Sequence, residues 1–489
     1  MKTSLSRRDL GRLLGASAVA STATSSFALE NAPSVSPMGR RSEGFPDRFL
    51  WGSATASYQV EGSVNDAGRG PSIWDTFSHT PGKVANHDTG DVADDFFRRY
   101  RDDVQLMNGL GIQAFRFSVA WPRVFPTGGG MPNPQGLDFY LRLVEELHAH
   151  GIEPFCTLYH WDMPQALQDR GGWESRDTAY RLAEYAGYVA GKLSAVGVKH
   201  FFTMNEIRTF VELGYGNGTH APGLKVGRKR LAQLNHHALL GHGLSVQSIR
   251  AHAVGDVQVG VAENPIAPVP VTPSGDDIAA ARTAMREENA SYLTAILEGV
   301  YTDRYLAGLG VDAPHFTAEE MRIISTPLDV LGLNFYTSTY VRASHSPASY
   351  ETLALPADFP HMASSWLTVS PECVHWGPRL VHECWRPKAI YITENGCSAD
   401  DGLNANGECL DTGRIMYLRN CLSQLEHALA HGAPVQGYFV WSLLDNFEWA
   451  DGYGKRFGIV HVDFKTQKRT PKLSARFYQK VIEGNGKNL

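Results

Sequence analysis

The sequence lacks the features that would point to a membrane or to nucleic acid. It has no run of about 18 or more apolar residues, the length typical of a spanning helix. Lys and Arg (45) are outnumbered by Asp and Glu (51), giving a formal net charge of -6, and no basic cluster with interleaved aromatic residues occurs. We therefore expect no nucleic-acid partner and no membrane association of the mature form.

Signatures of phosphate and metal binding are also missing. The three glycines at 128–130 are followed by Met-Pro, whereas a phosphate-binding loop continues with Lys-Ser/Thr. His236 and His237 are adjacent in a predicted helix, so their side chains point apart and do not form a metal site. We expect neither a metal nor a cofactor.

The sequence has no C-x-x-C motif, although its 6 cysteines in 489 residues are ordinary usage for a chain of this length. Cys156 lies in an apolar segment and is expected to be a small core residue. In an exported protein, Cys373 with Cys384, or Cys397 with Cys409, could close short surface loops. The sequence leaves disulfide bonds undecided, as it does the oligomeric state.

Residues 1–28 are typical of a targeting segment. The twin arginine Arg7-Arg8 is followed by a weakly apolar stretch and then by small residues, which resembles a twin-arginine export signal. We predict that this signal precedes a flexible mature tail at residues 29–44, rich in Ser, Pro and Gly, and that the protein is periplasmic or secreted. A disordered basic tail is the alternative, and the cleavage site is left open.

From residue 49 onward, short apolar segments alternate with amphipathic helical segments. The apolar segments predict eight strands: Phe49–Tyr58, Ala114–Ala120, Glu153–Tyr159, His200–Met204, Val257–Ala262, Asp329–Phe335, Ala389–Thr393 and Val435–Trp441. Apolar residues three and four positions apart predict helices at Ala93–Gly109, Asp138–Ala149, Thr178–Val196, Leu231–Ala253, Glu287–Leu297 and Ile415–His431. This α/β alternation predicts a single (β/α)8 TIM barrel at residues 45–489 rather than two open sheets.

Two connections are longer than ordinary barrel loops. Pro265–Asp276 follows the fifth predicted strand, and Tyr340–Arg386 follows the sixth. Loops after strands lie on the catalytic face of a barrel, and long loops without periodicity are usually functional. We expect these long βα loops to form the mouth of the active site, with Trp173, Trp366 and Trp376 around it.

Two of the predicted strands lead into the acids Glu394 and Glu206. Glu394 follows an apolar run and precedes Asn-Gly, and Glu206 follows another apolar run and Asn205. An unpaired carboxylate is costly to bury, so a buried strand has little reason to end on one unless the charge is held or used. Because the carboxyl ends of barrel strands meet at one face, we expect both acids in one site.

The other residues at predicted strand ends suit a sugar. Amides, a histidine and carboxylates match the donors and acceptors of hydroxyl groups, and aromatic rings pack against the C–H face of a pyranose. The set also lacks the Gly-rich loop and Lys or Arg cluster typical of a phosphate site. The candidates beside the two acids are Gln59, Arg116, His160, Asn205, Asn334, Tyr336, Trp441, Glu448 and Trp449.

The two acids have different predicted environments. Arg116 and Tyr336 near Glu394 would keep it ionised, as a nucleophile must be, and the apolar residues before Glu206 would raise its pKa, which suits a general acid. A pair of carboxylates with these roles is what glycoside hydrolysis requires.

Six motifs in register resemble glycoside hydrolase family 1, the retaining β-glucosidase family. They are the segments FLWGSATASYQVEG from Phe49, YHWDMP from Tyr159, TMNE from Thr203, LNFY from Leu333, ITENG from Ile392 and WSLLDNFEW from Trp441. The resemblance implies that Glu394 is the nucleophile and Glu206 the acid/base. It also implies sugar binding by Gln59, His160, Asn205, Glu448 and Trp449, a platform at Trp441, support of the nucleophile by Arg116 and Tyr336, and ordering of the site by Asn334.

One position departs from the family pattern. Ile207 follows Glu206 where the family usually has Pro, so the backbone after the acid loses the constraint of a proline ring. Glu448 stands where members acting on 6-phosphorylated sugars carry Ser, which predicts a neutral glycosyl group. The resemblance implies hydrolysis of terminal β-D-glucosyl residues; β-galactosidase, β-fucosidase or transglycosidase activity, or a carbohydrate-binding pseudoenzyme, are the alternatives.

Overall fold

The computed structural model describes residues 44–489, in which eight parallel strands form a closed barrel. Each barrel strand pairs with the next one in the sequence, and the eighth pairs with the first. The strands are β1 (Leu50–Ala54), β2 (Ala114–Ser118), β3 (Glu153–Tyr159), β4 (His200–Asn205), β5 (Gln258–Glu263), β6 (Leu331–Asn334), β7 (Ile390–Asn395) and β8 (Val435–Trp441). The predicted (β/α)8 barrel is therefore confirmed.

Helices fill the connections between the strands. Those of ten residues or more are Phe96–Gly109, Pro134–Ala149, Asp177–Ser194, Arg228–His252, Gly275–Glu288, Cys373–Trp385, Thr412–Ala430 and Leu473–Glu483. Shorter α-helices span Ser57–Val60, Ile73–Ser78, Trp121–Val124, Gln165–Gln168, Ile207–Val211, Leu293–Glu298, Asp303–Leu309 and Ala318–Ile324. Two small sheets lie outside the barrel, one of Pro268–Pro270, Thr339–Ala343 and Tyr350–Thr352 and one of Val460–Asp463 and Lys468–Pro471.

The first predicted strand is too long. β1 ends at Ala54, and residues Ser57–Val60 form a helix, so Gln59 lies on a helical turn rather than at a strand end. Side chains of other elements hold this turn, because the Ser57 N–H donates to Ser118 Oγ (2.7 Å) and Ser57 Oγ donates to Asp162 Oδ2 (2.7 Å). The pattern of apolar residues along one segment does not reveal such contacts with distant segments.

The predicted helix Glu287–Leu297 is also wrong. One helix ends at Glu288 and another begins at Leu293, because the Asn289 side chain bonds to the chain around it. Asn289 Nδ2 donates to the Met285 carbonyl (2.8 Å), and Asn289 Oδ1 accepts from the Ile266 N–H (2.9 Å).

The long connection after β6 is more regular than its sequence suggests. It contains the strands Thr339–Ala343 and Tyr350–Thr352 and the helix Cys373–Trp385. The helix escapes sequence detection because Pro378 lies within it, and proline normally argues against a helix interior.

None of the six cysteines, all of which lie in the described part of the chain, forms a disulfide. Cys373 and Cys384 are at opposite ends of one helix, about 16 Å apart at the rise of an α-helix. They therefore cannot pair. Cys156 is fully buried in β3, as expected.

Aromatic side chains fill the barrel beneath the site. The rings of Phe155 and Phe439 lie 4.9 Å apart, and Phe202 packs beside Phe155. The guanidinium of Arg116 lies 5.7 Å from the centre of the Phe202 ring. This floor places Arg116 at the boundary between the apolar core and the polar face of the barrel.

A buried ion network holds the chain that follows β8. Lys472 is fully buried and binds both Asp401 and Asp445, at 2.6 Å from Asp445 Oδ1. Arg456 binds the other oxygen of Asp445 at 2.7 Å. Asp445 precedes Glu448 by three residues, so the network fixes the base of the loop that carries Glu448.

The described residues do not test the predictions for the N-terminus. The export signal expected at residues 1–28, and all of the tail expected at residues 29–44 except Gly44, lie outside the described part. No helix among residues 44–489 is long and apolar enough to cross a membrane.

Candidate active site

The carboxyl ends of the barrel strands surround a cavity of about 550 Å³. This volume suits a small ligand. Eight of the predicted site residues line the cavity: His160, Asn205, Glu206, Tyr336, Glu394, Trp441, Glu448 and Trp449. Gln59, Arg116 and Asn334 do not line it, but each donates a hydrogen bond to a residue that does.

Glu394 is held at the end of β7 by a cation and a hydroxyl. Arg116 Nη1 lies 2.6 Å from Glu394 Oε1, and Tyr336 Oη donates to Glu394 Oε2 at 2.8 Å. Arg116 is itself fixed, because its Nε donates to Thr157 Oγ1 (2.9 Å) and its Nη2 to Asn205 Oδ1 (2.6 Å). The carboxylate is thereby aimed into the cavity.

Opposing influences act on the pKa of Glu394. Burial raises it, whereas the charge and hydrogen bond of Arg116 and the hydrogen bond of Tyr336 lower it. The net direction is upward, so burial outweighs the ionising effect that the sequence predicts for these two neighbours. Burial and the charge of Glu394 also raise the pKa of Tyr336 well above its usual value, so this hydroxyl stays a donor.

Glu206 lies directly after β4, with its backbone in the left-handed region (φ 49°). Asn334 Nδ2 donates to Glu206 Oε1 (2.8 Å), and Thr209 Oγ1 donates to Glu206 Oε2 (2.8 Å). Burial, followed by the charge of Glu394, raises the pKa of Glu206 to about 7. The apolar approach along β4 predicted this direction, and a pKa near neutrality suits a group that gives and takes a proton.

Asn334 links the two acids. It lies opposite Glu394 in the register of β6 and β7. Its amide donates to Glu206 and to Asn205 Oδ1 (3.1 Å), and its side chain also lowers the pKa of Glu394. One side chain therefore acts on both acids, through a hydrogen bond to Glu206 and through its effect on the pKa of Glu394.

The protonation of His160 follows from its neighbours. Asn205 Oδ1 accepts from Arg116, so the other end of the amide, Nδ2, donates to His160 Nε2 at 3.1 Å. Burial, and then the charge of Arg116, lower the pKa of His160 well below its usual value. The neutral ring therefore carries its proton on Nδ1, a buried atom that has no hydrogen-bond partner among residues 44–489.

Glu448 and Gln59 form a second polar wall. Gln59 Nε2 donates to the Phe447 carbonyl (3.0 Å), to Asn446 Oδ1 (3.1 Å) and, at 3.4 Å, to Glu448 Oε2. Burial raises the pKa of Glu448 well above its usual value, and the charges of Asp451, Glu394 and Glu206 add to this effect. Gln59 Oε1 is buried without a partner in the described part of the chain.

Aromatic rings line the remaining sides. Trp449 lies 4.5 Å from Trp161 between ring centres, and Trp441 lies 5.9 Å from His160 with nearly parallel rings. Trp366, half exposed, stands edge-on to Tyr336 at the mouth. Trp173 and Trp376, expected near the mouth, are not among the lining residues, and Trp173 is fully buried against Tyr159.

Several lining residues escaped the sequence analysis, among them Thr209, His220, Asn264, Asp451 and Phe457. Thr209 could have been found, because it follows Glu206 by three residues and residues so spaced meet on a helix face. The others depend on loop paths. Within residues 44–489, no group of three or more His, Cys, Asp or Glu side chains could hold a metal ion.

Comparison with known proteins gives a consistent result. The model of glycosyl hydrolase family 1 matches residues 41–487. Beta-glucosidase A of Acetivibrio thermocellus is 42% identical over 450 residues, which cover 90% of this chain and 99% of the relative. A bifunctional beta-D-glucosidase/beta-D-fucosidase of Bifidobacterium breve is 39% identical over 460 residues, covering 90% and 98%. The solved structure of a beta-glucosidase from Thermotoga maritima in complex with deoxynojirimycin matches with a TM-score of 0.83 at 40% identity, covering 91% of this chain and 99% of that chain.

Proposed function

The chain belongs to glycosyl hydrolase family 1, and from that premise we propose that it is a retaining β-glucosidase that releases terminal β-D-glucosyl residues from small β-glucosides. The observation that carries the proposal is the pair of buried acids in one cavity. Glu394 is bound by a cation and a hydroxyl, and Glu206 has a pKa of about 7. This is the division of roles that retaining hydrolysis needs.

In the first step, Glu394 attacks the anomeric carbon as the bond to the leaving oxygen breaks. Glu206 gives its proton to that oxygen, and the sugar remains linked to Glu394 as an ester. In the second step, Glu206 takes a proton from water, the water oxygen attacks the anomeric carbon, and Glu394 leaves as a carboxylate. Two inversions at one carbon retain the β configuration.

The residues around Glu394 serve the second step in particular. Arg116 and Tyr336 stabilise the charge that returns to the carboxylate as the ester breaks. The ring N–H of His160 and the carboxyl group of Glu448, two residues that line the cavity, supply a donor and acceptors for sugar hydroxyls, while Trp441 and Trp449 present apolar faces.

The charge of the cavity favours a neutral glycosyl group. Four of its lining residues are acids, namely Glu206, Glu394, Glu448 and Asp451, and none of the described lining residues is Lys or Arg. A sugar phosphate would have no cation to pair with there. A clear preference for a 6-phospho-β-glucoside over the parent β-glucoside would contradict this proposal.

Membership of the family does not by itself decide which sugar the enzyme prefers. The Bifidobacterium breve relative is named for both β-D-glucosidase and β-D-fucosidase activity. We propose β-glucosidase activity first and β-fucosidase activity second, with transglycosylation to a sugar or alcohol as an alternative fate of the ester. A purely carbohydrate-binding protein is disfavoured because both carboxyl groups are present and aimed into one cavity.

The test is hydrolysis of p-nitrophenyl β-glucoside, β-galactoside, β-fucoside and α-glucoside, with the anomer of the first sugar product followed by NMR. We expect fastest release from the β-glucoside and a β first product. The variant Glu394→Gly should lose turnover and regain part of it with azide, giving the α-glycosyl azide. An α first product, or an active Glu394→Gly variant without azide, would refute the mechanism.

A further inference from the structure

The end of β5 holds the backbone on both sides of Glu206. The Glu206 N–H donates to the Ala262 carbonyl at 2.7 Å. The next N–H, that of Ile207, donates to Oε1 of the Glu263 side chain at 2.9 Å. Consecutive residues of one strand therefore bind the two peptide groups that flank the acid.

These two hydrogen bonds flank a residue, Glu206, whose backbone conformation is unfavourable. Glu206 has a positive φ of 49°, which residues other than glycine adopt rarely. Such conformations persist where the surroundings fix them, and they cluster at functional sites. The hydrogen bonds to Ala262 and Glu263 are the fixing contacts on the two sides of the Glu206 Cα.

The carboxyl group of Glu263 accounts for the presence of isoleucine, rather than the proline usual in the family, at position 207. Proline has no N–H, so a proline at this position could not donate to the Glu263 carboxyl group. Glu263 is 1% exposed, and a buried acceptor that loses its donor is costly. Ile207 thus supplies the donor that Glu263 needs, and Glu263 supplies the constraint that a proline ring would otherwise impose.

A third contact extends the same arrangement to the Glu206 carboxyl group. Asn264, which follows Glu263, donates from Nδ2 to Thr209 Oγ1 at 2.7 Å, and Thr209 Oγ1 donates to Glu206 Oε2 at 2.8 Å. Three successive residues at the end of β5 therefore act on one catalytic acid. Ala262 binds the N–H of Glu206, Glu263 binds the N–H of the next residue, and Asn264 acts on the carboxyl group of Glu206 through Thr209.

We propose that Glu263 is a positioning residue that orients the acid/base Glu206 through the Ile207 N–H, in place of a proline. This inference rests on the proposed function of Glu206. Glu263 needs only an acceptor oxygen for this task. Burial raises the pKa of Glu263 to about 8, with the charge of Glu206 adding to it, so a neutral side chain of the same shape should serve equally well.

The test compares substrates that need the acid with one that does not. Phenyl β-glucoside has a poor leaving group that requires protonation, whereas 2,4-dinitrophenyl β-glucoside leaves without it. In Glu263→Leu we expect kcat/KM for the phenyl substrate to fall by about tenfold or more, part of the roughly 10²–10⁴-fold that general acid catalysis contributes. For the dinitrophenyl substrate, kcat/KM should stay within about threefold, and Glu263→Gln should resemble the wild type for both.

Ile207→Pro removes the N–H that donates to Glu263 and so tests the proposal independently. Alone it should show the same selective loss on the phenyl substrate, because it leaves the Glu263 acceptor buried and unpaired. Combined with Glu263→Leu, which removes that acceptor, it should recover most of the loss, since proline fits the first position of the helix Ile207–Val211. If Glu263→Leu does not fold, Ile207→Pro and Glu263→Gln still decide the question.

The control is Glu212→Gln. Glu212 directly follows the helix Ile207–Val211, and its side chain is 53% exposed. The substitution should change neither substrate's kcat/KM. Equal losses on both substrates in Glu263→Leu, a Glu263→Gln variant as impaired as Glu263→Leu, or additive losses in the double variant would overturn the proposal. A wild type that hydrolyses neither substrate would instead refute the proposed function.

Discussion

The hydroxyl of Tyr336 donates to Glu394 Oε2 at 2.8 Å, and its removal should affect the two chemical steps differently. During formation of the ester, Glu394 loses charge, so this hydrogen bond weakens toward the transition state. During hydrolysis of the ester, the charge returns and the bond strengthens. Tyr336→Phe should therefore slow the second step more than the first.

The expected size follows from the strength of a hydrogen bond to a charged group, about 1.5–3 kcal/mol. With about half of the charge restored at the transition state, the loss is about 1 kcal/mol, or roughly fivefold in rate. The ester then accumulates, so kcat and KM for 2,4-dinitrophenyl β-glucoside should fall together while kcat/KM changes little.

Stopped-flow measurement of dinitrophenol release should show a burst equal to the enzyme concentration, followed by a slower steady state. The acidic limb of kcat/KM should also move to higher pH, because removing a donor to the carboxylate raises the pKa of Glu394. A matched control is Tyr340→Phe, whose hydroxyl bonds to Glu372 (3.2 Å). A fall in kcat/KM larger than the fall in kcat would refute the reasoning.

Further measurements address charge and stability. Glu206 must be protonated to act as an acid, so with a pKa of about 7 the alkaline limb of kcat/KM should lie near pH 7 and vanish in Glu206→Gln. Because this pKa is raised from 4.5, the stability that Glu206 contributes is present below pH 4.5 and lost by about pH 7, so Glu206→Gln should raise Tm above neutrality. Lys472→Met removes one of the two cations that bind each of two buried aspartates and leaves Arg414 on Asp401 and Arg456 on Asp445, so it should cost up to about 3–5 kcal/mol in urea unfolding, whereas Lys480→Met, at an exposed pair, should cost less than about 1 kcal/mol. Replacing Arg7-Arg8 by Lys-Lys should retain the precursor in the cytoplasm on cell fractionation, and unchanged export would refute the twin-arginine assignment.

The sequence predicts the parts of the site that depend on strand ends. Glu394, Asn205 and Tyr336 follow or end apolar runs that predict buried strands, and a parallel barrel brings such ends to one face. The environment of Glu206 was also predictable in part. The apolar residues before Glu206 indicate a raised pKa, and burial raises it to about 7, whereas the sequence did not show that burial outweighs the effect of Arg116 and Tyr336 on the pKa of Glu394.

The remainder depends on contacts between distant segments. Gln59 lies on a helical turn because Ser118 and Asp162 capture Ser57, and neither residue is close to it in the sequence. Glu263 similarly reads as the polar end of an ordinary strand. Its role emerges only when β4 and β5 are neighbours and the Ile207 N–H points at its carboxyl group.

The fixed tautomer of His160 has a consequence for the sugar. Arg116 donates to Asn205, Asn205 donates to His160, and His160 is left with its proton on Nδ1, so this chain of hydrogen bonds runs in one direction only. Its direction is set by a guanidinium that does not lose its proton in proteins. A hydroxyl that bonds to Nδ1 of His160 would therefore have to accept there and direct its own hydrogen elsewhere. The site thus fixes the direction of a hydrogen bond at His160, as well as the shape of the space that a sugar would occupy.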